Sequence, residues 1–179
     1  MEIIMKKIIA TIALTLVVTA GFSQKCKYTI NKKDALTGKE FKETYYLDVD
    51  SDIANGTFYW LHFLKESDDT YYIFYKFGVY GQVFNVVPKN QEFKLKLANG
   101  NIVTFQSLNE VNPVTGGSTN IVTEWEMKCS ISKEDLQLIS TNKPVALSTL
   151  DFSKNKGVSV DFSNNEANYV SKYASCILQ

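Results

Sequence analysis

The chain contains no arginine: all 19 basic residues are lysines, matched by 19 acidic residues. Without a guanidinium fork there is no bidentate partner for phosphate or for the guanine edge. A balanced charge also offers no field to steer a polyanion. Nucleic acid is therefore excluded as a partner. Histidine is nearly absent, with His62 alone. A Ser-His or Cys-His nucleophile system would have to use it, and no Gly-x-Ser-x-Gly elbow accompanies it. Cysteine is sparse, at Cys26, Cys129 and Cys176, with no Cys-x-x-Cys spacing. That removes redox motifs and thiolate zinc knuckles, and the lone histidine removes histidine-based zinc sites. No cofactor is implied.

The one long apolar run stands at the start. Lys6 and Lys7 lead into Ile8–Leu14 and on to Ala20. The core is shorter than the roughly 20 apolar residues that a bilayer span needs. Small residues follow at Val18 with Ala20 and at Gly21 with Ser23. This is the pattern of a secretory signal peptide, read here as residues 1–23, with a single β-rich domain over 24–179. Ser23-Gln24-Lys25 before Cys26 does not form a lipidation box. The expectation is a secreted or periplasmic protein with no stable membrane insertion after cleavage. In an oxidising compartment two of the three cysteines can pair. Cys26 with Cys176 is the preferred pair, because it ties the first strand to the last element.

Ten tyrosines and eleven phenylalanines stand out next. Most fall in extended segments. Thr57–Leu64 and Tyr71–Val79 are two aromatic runs separated by a charged turn, the pattern of a hairpin. Glu92–Leu97 alternates, with Phe93, Leu95 and Leu97 opposite Lys94 and Lys96. Asn99-Gly100 turns that strand into Ile102–Phe105. Further extended stretches are read at 27–31, 41–49, 84–87, 121–131, 145–152 and 158–162, with 109–120 as a surface loop. Ser132 with Asp135 marks the start of a short helix to about Ser140, and Ser163 with Glu166 starts a closing helix over about 164–177. The strands do not alternate regularly with helices. The fold class is thus mainly β: an antiparallel β-sandwich or curled barrel with one short internal helix and a C-terminal helix.

Three groups of side chains carry candidate chemistry. Tyr59, Trp60, Tyr71, Tyr72, Tyr75 and Tyr80 form a candidate ligand-binding set, suited to stacking sugar rings or peptides if they share an open face. Asp48, Asp50 and Asp52 alternate at a strand end and offer three carboxylates to a calcium ion, without the glycine-and-glutamate frame of a calcium loop. Glu66, Asp68 and Asp69, with Glu124 and Glu126 on one face of a later strand, are the acids from which a glycoside-cleaving pair would be drawn, if two met about 5 to 9 Å apart.

Asp34-Ala35-Leu36-Thr37-Gly38-Lys39, the step Ile131-Ser132-Lys133-Glu134-Asp135-Leu136 and the closing helix with Cys176 make the chain resemble uncharacterised small exported β-rich proteins of Bacteroidetes-type bacteria. The resemblance implies an exported β domain and assigns no functional residue. The sequence favours an exported, non-enzymatic binding or structural domain with an unknown protein or carbohydrate ligand. The alternative is a carboxylate-based hydrolase acting on glycans or peptides.

Overall fold

The structure is a computed structural model that describes residues 26–52, 56–67, 69–117, 120–152 and 154–179, without the side chains of 50–52. The expected leader over residues 1–23 lies outside the described residues, as does Asp68. Among the described residues, eleven strands and two helices follow in order: β1 Tyr28–Lys33, β2 Glu40–Thr44, β3 Leu47–Asp52, β4 Thr57–Ser67, β5 Thr70–Tyr80, β6 Glu92–Leu97, β7 Ile102–Gln106, β8 Val114–Gly116, β9 Val122–Ile131, α1 Lys133–Thr141, β10 Pro144–Asp151, β11 Lys156–Asp161 and α2 Asn164–Leu178.

The larger sheet runs β1-β2-β4-β5-β9-β8, with β3 also pairing to β4, and the smaller runs β11-β10-β6-β7. Every strand pair is antiparallel. The stretch read as one strand over 41–49 is two strands sharing an edge of β4: β2 takes Leu64 and Lys65, and β3 takes the 57–61 end. The Thr44 hydroxyl accepts from the Phe63 amide at 3.0 Å where the chain leaves β2, so the interrupted ladder stays satisfied. The expected strand at 84–87 is reduced to a single bridge between Val87 and Val111. Residues 81–91 instead cross the open end of the sandwich, where Asn85 accepts from Trp125 and donates to the Phe152 carbonyl.

The β6–β7 hairpin follows its turn residues. Gly100 sits at φ +88°, which a residue with a Cβ adopts only at a cost. The Asn99 side chain accepts from the Asn101 amide, and the Leu97 amide closes on the Asn101 carbonyl. Both helices are capped as their sequences require. Ser132 accepts from the Asp135 amide, and Ser163 with Glu166 forms a full capping box.

The sheets meet face to face through alternate residues. Odd positions of β4, β5 and β9 turn inward: Tyr59, Leu61, Phe63, Ile73, Tyr75, Phe77, Trp125, Met127 and Cys129 are all buried. Phe93, Leu95, Leu97, Val103, Phe105 and Leu147 face them from the smaller sheet. Tyr75 meets Phe93 at 4.9 Å between ring centroids, and Phe152 meets Phe77, Phe93 and Trp125. The sheets join at one corner, where Ser107 bridges to Cys129 and the Leu108 amide donates to Lys128. The larger sheet therefore curls into a half-barrel. Helix α2 covers the inner face at β2, β3 and β4 with Val170, Ala174 and Ile177, and α1 packs beside it through Leu136 and Ile139. Cys26 and Cys176 form a disulfide. Beside it, the Tyr28 hydroxyl donates to the Cys176 carbonyl at 2.9 Å, so β1 and α2 are held twice. Among the described residues, no helix is long and apolar enough to cross a membrane.

Candidate functional site

Helices and the smaller sheet both lie on the inner side of the larger sheet. Its outer side carries the even-numbered residues of β4, β5 and β9. On an ordinary half-solvated sheet such positions are polar. Here Phe58, Trp60, Leu64, Tyr72 and Phe74 are half-buried rather than covered by another layer.

The rings pack against β5 because it makes room for them at Gly78. Gly78 stands opposite Phe58 in the register, between the strand neighbours of Trp60 and Tyr80. A Cβ on Gly78 would come within 3.2 Å of the Trp60 ring and 3.5 Å of Phe58. The absent side chain is thus replaced by two aromatic rings. Phe58 and Trp60 lie 5.7 Å apart with their planes only 11° from parallel, and Tyr80 closes the row edge-on to Phe58 at 5.1 Å. The result is an offset-stacked pair of rings, closed by a third, at one end of the face.

Charged groups stand among the rings along the whole outer face. Lys76 stands 5.3 Å from the Trp60 ring centre and pairs with Glu124 at 2.8 Å. Lys128 sits 3.7 Å over the Tyr72 ring and pairs with Glu66 at 3.2 Å. That lysine, and then the Tyr72 hydroxyl, hold the Glu66 carboxyl below the ordinary range. Burial, then Glu126, which accepts from the hydroxyl, pushes the Tyr46 phenol well up. His62 lies beneath this layer, stacked on Phe74 at 4.4 Å and met edge-on by Tyr46 at 4.2 Å. Burial lowers its pKa to about 4. Glu43 stands 3.3 Å from its Nε2 but keeps 25% of its side chain in water, so desolvation outweighs the carboxylate. At neutral pH the ring is uncharged, and its Nδ1 is buried without a hydrogen-bond partner.

The strand period divides the six aromatic candidates. Trp60, Tyr72 and Tyr80 fall on the outer face. Tyr59, Tyr71 and Tyr75 point into the core at 5%, 4% and 0% exposure, and no ligand on the outer face reaches them. Phe58, Phe74 and Tyr46 complete the outer face. The sequence reading passed over them because it weighted tyrosine and tryptophan and did not sort residues by parity. The signal was present: Glu66, Lys76 and Glu124 share the outward parity with Trp60.

Among the described residues, most of the candidate acids are engaged by a neighbouring side chain. Glu124 and Glu66 are each held by a lysine, and Glu126 by Tyr46. Asp48 is exposed opposite Trp60. A bulge between Asp48 and Asp50 interrupts the alternation that the calcium spacing assumed. The side chains of Asp50 and Asp52 lie outside the described residues. Among the described residues no group of three or more His, Cys, Asp or Glu is placed to hold a metal ion.

No family model matches the chain, no curated protein matches it in sequence, and no solved structure matches it in fold.

Proposed function

We propose that this protein is an exported, non-enzymatic binding domain that holds a neutral glycan chain on the outer face of its larger sheet. The observation that carries the reading is the offset-stacked Phe58–Trp60 pair, seated over Gly78 and left part-exposed on the outer face. The C–H face of a pyranose ring is apolar and flat, and it stacks on such a ring while its hydroxyls reach outward. Lys76 and Glu124 supply a donor and an acceptor at the platform edge, with their charges already cancelled. That arrangement suits a polar, uncharged ligand.

Export is supported by the leader pattern and by the Cys26–Cys176 disulfide, which persists in oxidising compartments. A binding role is favoured over the carboxylate-based hydrolase because, among the described residues, Glu124 and Glu66 are each tied to a lysine and Glu126 to Tyr46.

The test is calorimetric titration with a panel of neutral oligosaccharides. At least one should bind saturably, and Trp60→Ala should weaken it by about tenfold, the scale of one lost aromatic stack. Binding that survives Trp60→Ala unchanged, or no binding across the panel, refutes the reading.

A further inference from the structure

We infer that the protein carries a second binding site, for an acidic saccharide, in the cleft between the end of α1 and the outward flank of α2. The cleft holds about 620 Å³ and runs beside the Cys26–Cys176 disulfide, away from the aromatic face. Its floor and walls come from one stripe of α2, at Asn165, Asn168, Tyr169 and Lys172. These are the i, i+3, i+4 and i+7 positions of one helix face.

Three observations define what it takes. The first is charge. Lys172 lines it from α2 and Lys143 from just beyond α1, and no aspartate or glutamate lines it. Several other lysines are neutralised in place: Lys42, Lys65, Lys76, Lys128, Lys133 and Lys154 each lie within 3.2 Å of a carboxylate. Among the described residues, no carboxylate pairs with Lys143 or Lys172. In a chain with balanced charge, the cleft is a local positive spot that selects an oxyanion.

The second is an unmet hydroxyl. Ser171 lines the cleft, is 9% exposed, and its Oγ has no hydrogen-bond partner. A buried polar group left so is costly, and a turn of its side chain toward the cleft would let a ligand oxygen satisfy it. The third is the amide pair. Asn165 and Asn168 each bring a donor and an acceptor, matching sugar hydroxyls, which both give and receive. Half-exposed Tyr169 adds a ring at the rim. Two cations, two amides and a buried hydroxyl describe a sugar bearing carboxylate or sulfate, rather than a bare ion.

The test uses the protein purified with its disulfide closed. Trigalacturonic acid, maltotriose and sodium sulfate are titrated separately and followed by amide chemical shifts. Trigalacturonic acid should bind saturably, shift the amides of α2 and weaken as salt rises. Lys172→Gln and Lys143→Gln should each weaken it by about tenfold, the scale of a charge-assisted hydrogen bond. Neither lysine has an ion pair to lose, so unfolding midpoints should hold, which separates binding from folding. Trp60→Ala should leave this binding unchanged, so failure here and failure of the sheet-face reading remain distinct. Equal shifts of the α2 amides by maltotriose, sulfate binding there as tightly as the sugar acid, or full binding by both lysine variants would overturn the inference.

Discussion

At the scale of single residues, His62 makes stability depend on pH in a window of its own. Its folded pKa is near 4 against an ordinary 6.5. Between those values the unfolded chain takes up a proton that the folded chain refuses. Its contribution is complete above pH 6.5 and is lost as pH falls toward 4, by about 2–3 kcal/mol. The carboxyls held below their usual range, Asp34, Glu40, Glu66 and Asp69, lose their contributions at lower pH. As the chain has no other histidine, denaturant midpoints between pH 7 and 5 should decline in the native protein. They should stay level in His62→Gln. Cys129 gives a second single-residue expectation. It is the one free cysteine, buried, with its thiol pushed up to about 12 by desolvation. Iodoacetamide at pH 8 should label no thiol in the folded oxidised protein and one in denaturant, counted by mass.

At the scale of elements, β5 and the β6–β7 hairpin carry the sharpest expectations. A valine at Gly78 must displace the Trp60 ring, whose nearest atom stands 3.2 Å from the Cβ position. Gly78→Val should therefore increase iodide quenching of tryptophan emission and weaken glycan binding, with the far-ultraviolet spectrum retained. Gly100→Ala meets no neighbouring atom, so its cost is the left-handed backbone alone, about 1–2 kcal/mol in unfolding free energy. Elements were the most legible part of the sequence, because each announces itself locally. Lys94 and Lys96 alternating with Phe93 and Leu95 mark a half-buried strand, and Ser163 with Glu166 marks a helix start. The division of 41–49 into β2 and β3 was not legible, since it depends on two strands sharing one edge of β4. Neither was the binding face. Tyr59 and Trp60 are adjacent and both aromatic, and only the position of α2 and the smaller sheet decides which is covered.

At the scale of the molecule, two sheets, a helix pair and one cross-link act together. The disulfide joins residues 150 apart and closes nearly the whole described chain into one loop. Opening it frees much of the unfolded ensemble, so Cys26→Ser with Cys176→Ser should lower stability by about 2–5 kcal/mol. Urea denaturation of the two forms measures this directly. The acidic-saccharide cleft belongs to the same scale and left no trace in the sequence. Lys143, Ser171 and Cys26 meet only once α1, α2 and the first strand are docked.

The account rests most heavily on Trp60, the tryptophan of the outer face, and its buried counterpart serves as a control. Trp125 is 1% exposed and donates its indole N–H to the Asn85 carbonyl at 2.7 Å. The two indole N–H resonances should be recorded while neutral oligosaccharides are added. The account predicts that the Trp60 signal moves saturably and the Trp125 signal stays in place. A Trp60 signal that holds still with every oligosaccharide would contradict it.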